Sequence, residues 1–186
     1  MVMNDNKNLK NLGSKKQTIL NSLSFQVMWF ATIYLASKKL ALLAFIPTIS
    51  LSSYYVFQTH PKLSHKDRGL WALIGLGLGF ISELFFWYLD LFTAIEEPLI
   101  LIPLWLLGLW VTLFIMLPIE LSALLKRPIL AAGLAFISAP FSYISGAKLG
   151  AMIMNKDLIT TSLVIGFVWA GAFYVAAKIF QHQLRE

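Results

Sequence analysis

Long apolar runs separated by short polar clusters organise this chain of 186 residues. The runs fall at about 20–37, 40–58, 69–89, 99–125, 128–150 and 158–180. Each approaches or exceeds the roughly 20 residues that let a helix cross a bilayer. A helix satisfies its own backbone groups in lipid, and no segment alternates as barrel strands do. The pattern therefore predicts an all-α, polytopic membrane protein: a bundle of about six transmembrane helices forming one domain over residues 19–181. Residues 1–18 are rich in Asn and Lys and read as a flexible basic tail. The first apolar run exceeds the ~7–15 residues of a signal-peptide core and no small-x-small site follows, so it reads as an uncleaved span. Pro47 predicts a kink in the second run, and Pro103 and Pro118 lie near the ends of the fourth.

The connections carry the orientation. With six spans and the N-terminus inside, the cytoplasmic side holds eleven Lys and Arg: Lys7, Lys10, Lys15, Lys16, Lys62, Lys66, Arg68, Lys126, Arg127, Lys178 and Arg185. The other side holds three, Lys38, Lys39 and Lys156. This bias predicts a multi-pass protein with both termini facing the cytoplasm. The connection at residues 90–98 holds Glu96 and Glu97 but no base.

Composition agrees. The chain is 58% hydrophobic and 13% charged, against about 45–50% and 25% in globular domains, and its mean hydropathy is +0.73. The net charge of +6 is spread between the runs instead of forming one patch, so nucleic acid is not an expected partner. With no cysteine there is no thiolate chemistry, and His60, His65 and His182 stand apart from other ligands. No cofactor or metal site is expected. The six tryptophans, Trp29, Trp71, Trp87, Trp105, Trp110 and Trp169, read mostly as interfacial anchors near span ends.

Any activity must rest on the few polar residues inside the spans. Glu83 follows Gly75 and Gly79 at four-residue spacing, which sets all three on one helix face; the glycines invite close helix packing, and Asp90 lies seven residues on. A second stripe runs through Gly108, Thr112, Met116 and Glu120, with Glu120 near enough to Lys126 and Arg127 for a surface ion pair. Gln26 lies among Phe25, Trp29 and Phe30, where an amide serves packing between helices. Lys148, twenty residues from Pro128, sits about 30 Å along its helix, level with the far interface. It is placed to pair with Asp90 or Glu83, or to snorkel to the headgroups. Ala135, Ala139, Ser142, Gly146 and Gly150 form the small face of that fifth span, against which the glycine stripe of the third is expected to pack, while Lys148 projects nearly opposite, beside Ile137 and Phe141.

The segment PFSYISGAKLGA at 140–151, with PLWLLGLW at 103–110 and FQVMWF at 25–30, resembles a family of uncharacterised small polytopic inner-membrane proteins of proteobacteria. The resemblance covers nearly the whole chain after the tail and rests most on P-x-S-Y-x-x-G-A-K/R-L-G-A. It puts Lys148 at the place of the family's basic residue and Glu83 where an aspartate is expected, while residues 118–122 depart from the pattern. It implies no assigned activity, and through neighbourhood with enzymes that modify fatty acyl chains it implies a lipid connection. Two functions are expected in competition. One is a non-catalytic membrane module assisting a lipid or envelope pathway, with the bilayer, a membrane-protein partner or a second copy of itself as its company. The other is a small proton-coupled carrier with Glu83 as the titrating group. No paired carboxylate or histidine motif points to an enzyme.

Overall fold

The computed structural model of the chain describes residues 2–57, 63–95 and 102–184. His60, Lys62, Glu96, Glu97, Leu99 and Arg185, which figured in the expected loops, span ends and charge count, lie outside them. Seven helices and two short strands follow one another among the described residues: α1 (Val2–Ser37), α2 (Ala41–Phe57), α3 (His65–Tyr88), β1 (Phe92–Ala94), α4 (Leu104–Glu120), α5 (Ser122–Leu125), α6 (Pro128–Lys148), β2 (Met152–Met154) and α7 (Leu158–Gln183). Four segments are long and apolar enough to cross a membrane: Gln17–Ser37 within α1, α3, α6 and α7. They mark the chain as a membrane protein. Residues 2–16, expected as a tail, continue the helix of the first of these segments.

The expected second and fourth spans are shorter helices of 17 residues each. Proline sets the limits of α4. Pro103 stands at its N-cap, and Pro118, which has no N–H to give, weakens the last turn, so the chain breaks at Leu121 and restarts as α5. Apolar residues cover α4 on all sides, and a helix of that kind belongs inside a bundle. Trp105, Trp110, Phe114, Ile115 and Leu117 are all at most 1% exposed.

The packing differs from the expected pairing of the third and fifth spans. The glycine stripe of α3 meets α4, while α6 lies along α7. At Gly166 on α7 an added side-chain carbon would sit 2.8 Å from the Phe136 carbonyl oxygen, so that glycine holds α7 against the α6 backbone. The second stripe is the face α4 turns to α2: Gly108 receives Thr48, and the Thr112 and Ser52 hydroxyls bond at 2.7 Å.

Two caps complete the bundle. At one end β1 and β2 pair antiparallel, Phe92 opposite Met154 and Ala94 opposite Met152, so the connections after α3 and α6 are tied together. Gly150, at φ +85°, turns the chain out of α6 toward β2, a left-handed conformation that a residue with a side chain resists. At the other end Arg68 is not a free loop cation. It is 1% exposed and donates to the Tyr55 carbonyl at 2.9 Å, while the His65 ring lies 2.9 Å from the Val56 carbonyl. Both oxygens belong to the last turn of α2, whose carbonyls lack partners within the helix.

Candidate functional site

Glu83 is the one buried carboxylate among the described residues, 2% exposed. Its position follows from the two glycines before it. A side-chain carbon at Gly75 would approach Phe114 Cβ to 2.6 Å, and one at Gly79 would approach the Trp110 ring to 2.6 Å. Without them α4 lies directly on α3, and the Trp110 indole rests over Gly79, one turn before Glu83. From there Trp110 Nε1 donates to Glu83 Oε1 at 2.8 Å, and the Tyr143 hydroxyl of α6 donates to the same oxygen. One carboxyl thus ties three helices.

Aromatic rings enclose this junction. Trp110 stacks on Trp169 of α7 with centroids 3.8 Å apart and planes 22° from parallel, and Tyr143 meets Phe86 and Phe92 at 5.7 and 5.4 Å. The expectation of interfacial tryptophans is corrected here: Trp71, Trp105 and Trp110 are core residues, and Trp87, 53% exposed, keeps an outward place. Buried polar atoms in such surroundings need partners. Trp105 Nε1 and Thr161 Oγ1 have none among the described residues.

The other candidates do not converge on Glu83. Asp90, in a left-handed turn after α3, takes the Asn155 amide at 2.6 Å and Lys156 at 3.8 Å, an exposed arrangement beside the strand pair. Lys148 and Gln26 are exposed and line one outward groove of about 510 Å³ between α1 and α6, together with Phe30, Phe141 and Ser145. Lys148 has no hydrogen-bond or ion-pair partner among the described residues. Glu120 does not reach Lys126 or Arg127; it accepts from the Asn21 amide of α1, whose own oxygen takes Gln17 at 3.0 Å. Of the small residues expected to pack, Ala139 and Gly146 are buried, whereas Ser142 is exposed.

Behind Ser142 lies a slot of about 280 Å³ bounded by α1, α4, α6 and α7. Its walls are almost wholly apolar, with Ile33, Trp105, Leu109 and Leu113 along two sides and Leu121 and Leu124 at the far end. Phe25, Trp29 and Ser142 line both the slot and the groove, so the two spaces adjoin there. Tyr143 and Trp110 form part of the slot wall on one side and hold Glu83 on the other. The sequence pointed to Glu83 but not to its two donors, which lie 27 and 60 residues away. The available signal for Tyr143 was its place inside the 140–151 motif.

No group of three or more His, Cys, Asp or Glu able to hold a metal occurs among the described residues. The junction at Glu83 therefore offers one carboxyl, one phenol and one indole, a set that can hold a proton or a helix contact.

Residues 18–175 match the family model described as Protein of unknown function (DUF2878), and the chain belongs to that family. No curated protein and no solved structure matches the chain.

Proposed function

We propose that this family member is a non-catalytic, multi-pass module of the bacterial inner membrane that assists a lipid or envelope pathway. Six segments cross, α2 and α4 included, and both termini lie in the cytoplasm. The observation that carries the module over the carrier is the setting of Glu83. Its carboxyl is spent on Trp110 and Tyr143, and it stands apart from the groove that Lys148 lines. A carrier's titrating group needs access to water from each side in turn, whereas a carboxyl enclosed by two donors fixes the register of α3, α4 and α6.

The cysteine-free sequence makes the test direct. Single cysteines at Ser37 and Asn155 should react with an impermeant maleimide on intact cells, and cysteines at Ser14, Lys126 and His182 only after lysis. Reaction of the Ser37 variant only after lysis sinks the six-crossing topology. In proteoliposomes, a pH-driven solute flux that Glu83→Gln abolishes would replace the module by the carrier.

A further inference from the structure

We infer that the slot holds one acyl chain of an anionic glycerophospholipid whose phosphate is held at Lys148. The inference rests on the membrane location proposed above and supplies the module with a ligand.

The slot opens sideways. α1 and α6 barely touch along their length, and Phe25, Trp29 and Ser142 form a doorway from the slot to the groove on the lipid-facing side. Water is a poor filler, because an ordered water needs two to four polar partners and these walls supply few. An empty slot forfeits the dispersion contacts of its lining. Hydrocarbon entering from the bilayer meets neither objection. The slot is also long enough: its lining runs from Trp105 near the start of α4 to Leu121 just past its end, sixteen steps along the chain or about 24 Å at ~1.5 Å each, against roughly 15 Å for the hydrocarbon of one leaflet.

The head is chosen by charge. The groove carries Lys148 and the Gln26 amide and is lined by no Asp or Glu. Lys148 closes α6 at the level of the headgroups, and without a protein anion among the described residues it is left to meet a lipid phosphate. The groove, about 510 Å³, takes the second chain alongside Phe30 and Phe141. Two adjoining apolar spaces beneath one cation fit a lipid with two chains and one negative charge.

The test uses the full chain in phosphatidylcholine nanodiscs containing phosphatidylglycerol spin-labelled on one chain. The expected result is an immobilised component of about one lipid per protein, with phosphatidylglycerol retained about tenfold over a matching labelled phosphatidylcholine, equivalent to about 1.4 kcal/mol. Lys148→Gln should erase that preference while leaving a chain immobilised. Ser142→Phe, at an exposed position in the doorway, should remove the immobilised component while elution and melting stay as in the wild type. Equal retention of both lipids by the wild type overturns the headgroup assignment. An immobilised component unchanged in Ser142→Phe means surface lipid only and overturns the slot. Cysteine labelling reads the topology independently, so the ligand and the module can fail separately.

Discussion

The Trp110 indole donates its N–H to Glu83 across 2.8 Å, and it reaches that far because Gly79 leaves vacant the space its ring occupies. A carboxyl buried among rings is tolerable when its donors are in place and costly when one is withdrawn. Tyr143→Phe removes one donor with little change of volume and should cost about 1–2 kcal/mol, the upper part of the range for hydrogen bonds between membrane helices. Because Trp110 and Tyr143 share one oxygen, the double variant Trp110→Phe, Tyr143→Phe should depart from additivity. Thermal unfolding in detergent measures both. A Tyr143→Phe protein that melts like the wild type would remove the junction from the account of stability.

Neighbouring glycines of α3 should respond in opposite directions. Gly75→Ala places a carbon 2.6 Å from Phe114 Cβ, an atom fixed to the α4 backbone, so the helices must part, at a cost of about 1–3 kcal/mol. Gly77 has nothing within 4 Å of the same added carbon. Gly77→Ala should stabilise by up to about 1 kcal/mol through helix propensity alone. Equal melting shifts in the two variants would contradict the packing of α3 on α4.

Thr161 of α7 buries a hydroxyl with no partner among the described residues, at 1% exposure. Thr161→Val keeps the shape and removes the orphan, so the variant should be neutral or more stable by about 1 kcal/mol. A loss of more than about that amount in the same melting assay would mean that the hydroxyl has an acceptor after all.

Asp157 provides the acid-dependent term. It caps α7 by accepting from Thr160 N at 2.9 Å and Ile159 N at 3.1 Å. The bonds from Thr160, backbone first, hold its carboxyl below the ordinary value of 3.8. A depressed folded-state pKa gives stability that is present above the unfolded value and is lost as pH falls through the folded one. Melting followed from pH 5 downward should therefore decline below about pH 4. Asp157→Asn, which keeps a capping oxygen, should flatten that part of the profile; an unaltered decline would assign it to another carboxyl.

The membrane class and four of the six apolar segments, Gln17–Ser37, α3, α6 and α7, were legible because a helix in lipid must be long and apolar whatever it packs against. The fourth run was legible as apolar but not as two helices, since its break depends on how Pro118 meets its surroundings. Gly75 and Gly79 announced a close contact through their spacing without naming the helix that fills it. Their partner is α4, because Trp110 and Phe114 supply rings at the matching spacing, a complementarity that no single stripe reveals. Glu83 stood out as a charge in an apolar run. Tyr143 and Trp110 did not, since tyrosine and tryptophan are ordinary in a membrane span until a carboxyl is known to face them. The strands were hidden for a similar reason: three residues apiece, they are extended only because each meets the other.

The enclosure of α4 bears on how the protein meets membranes of different thickness. At 17 residues α4 is about 26 Å long, short of the ~30 Å hydrocarbon layer. A lipid-exposed helix of that length would tilt upright or draw the bilayer thin around it. Since α4 is wrapped by its neighbours, that mismatch falls on protein atoms. Hydrophobic matching is then set by the outer helices, and a change of lipid chain length should alter their tilt before it disturbs the junction at Glu83.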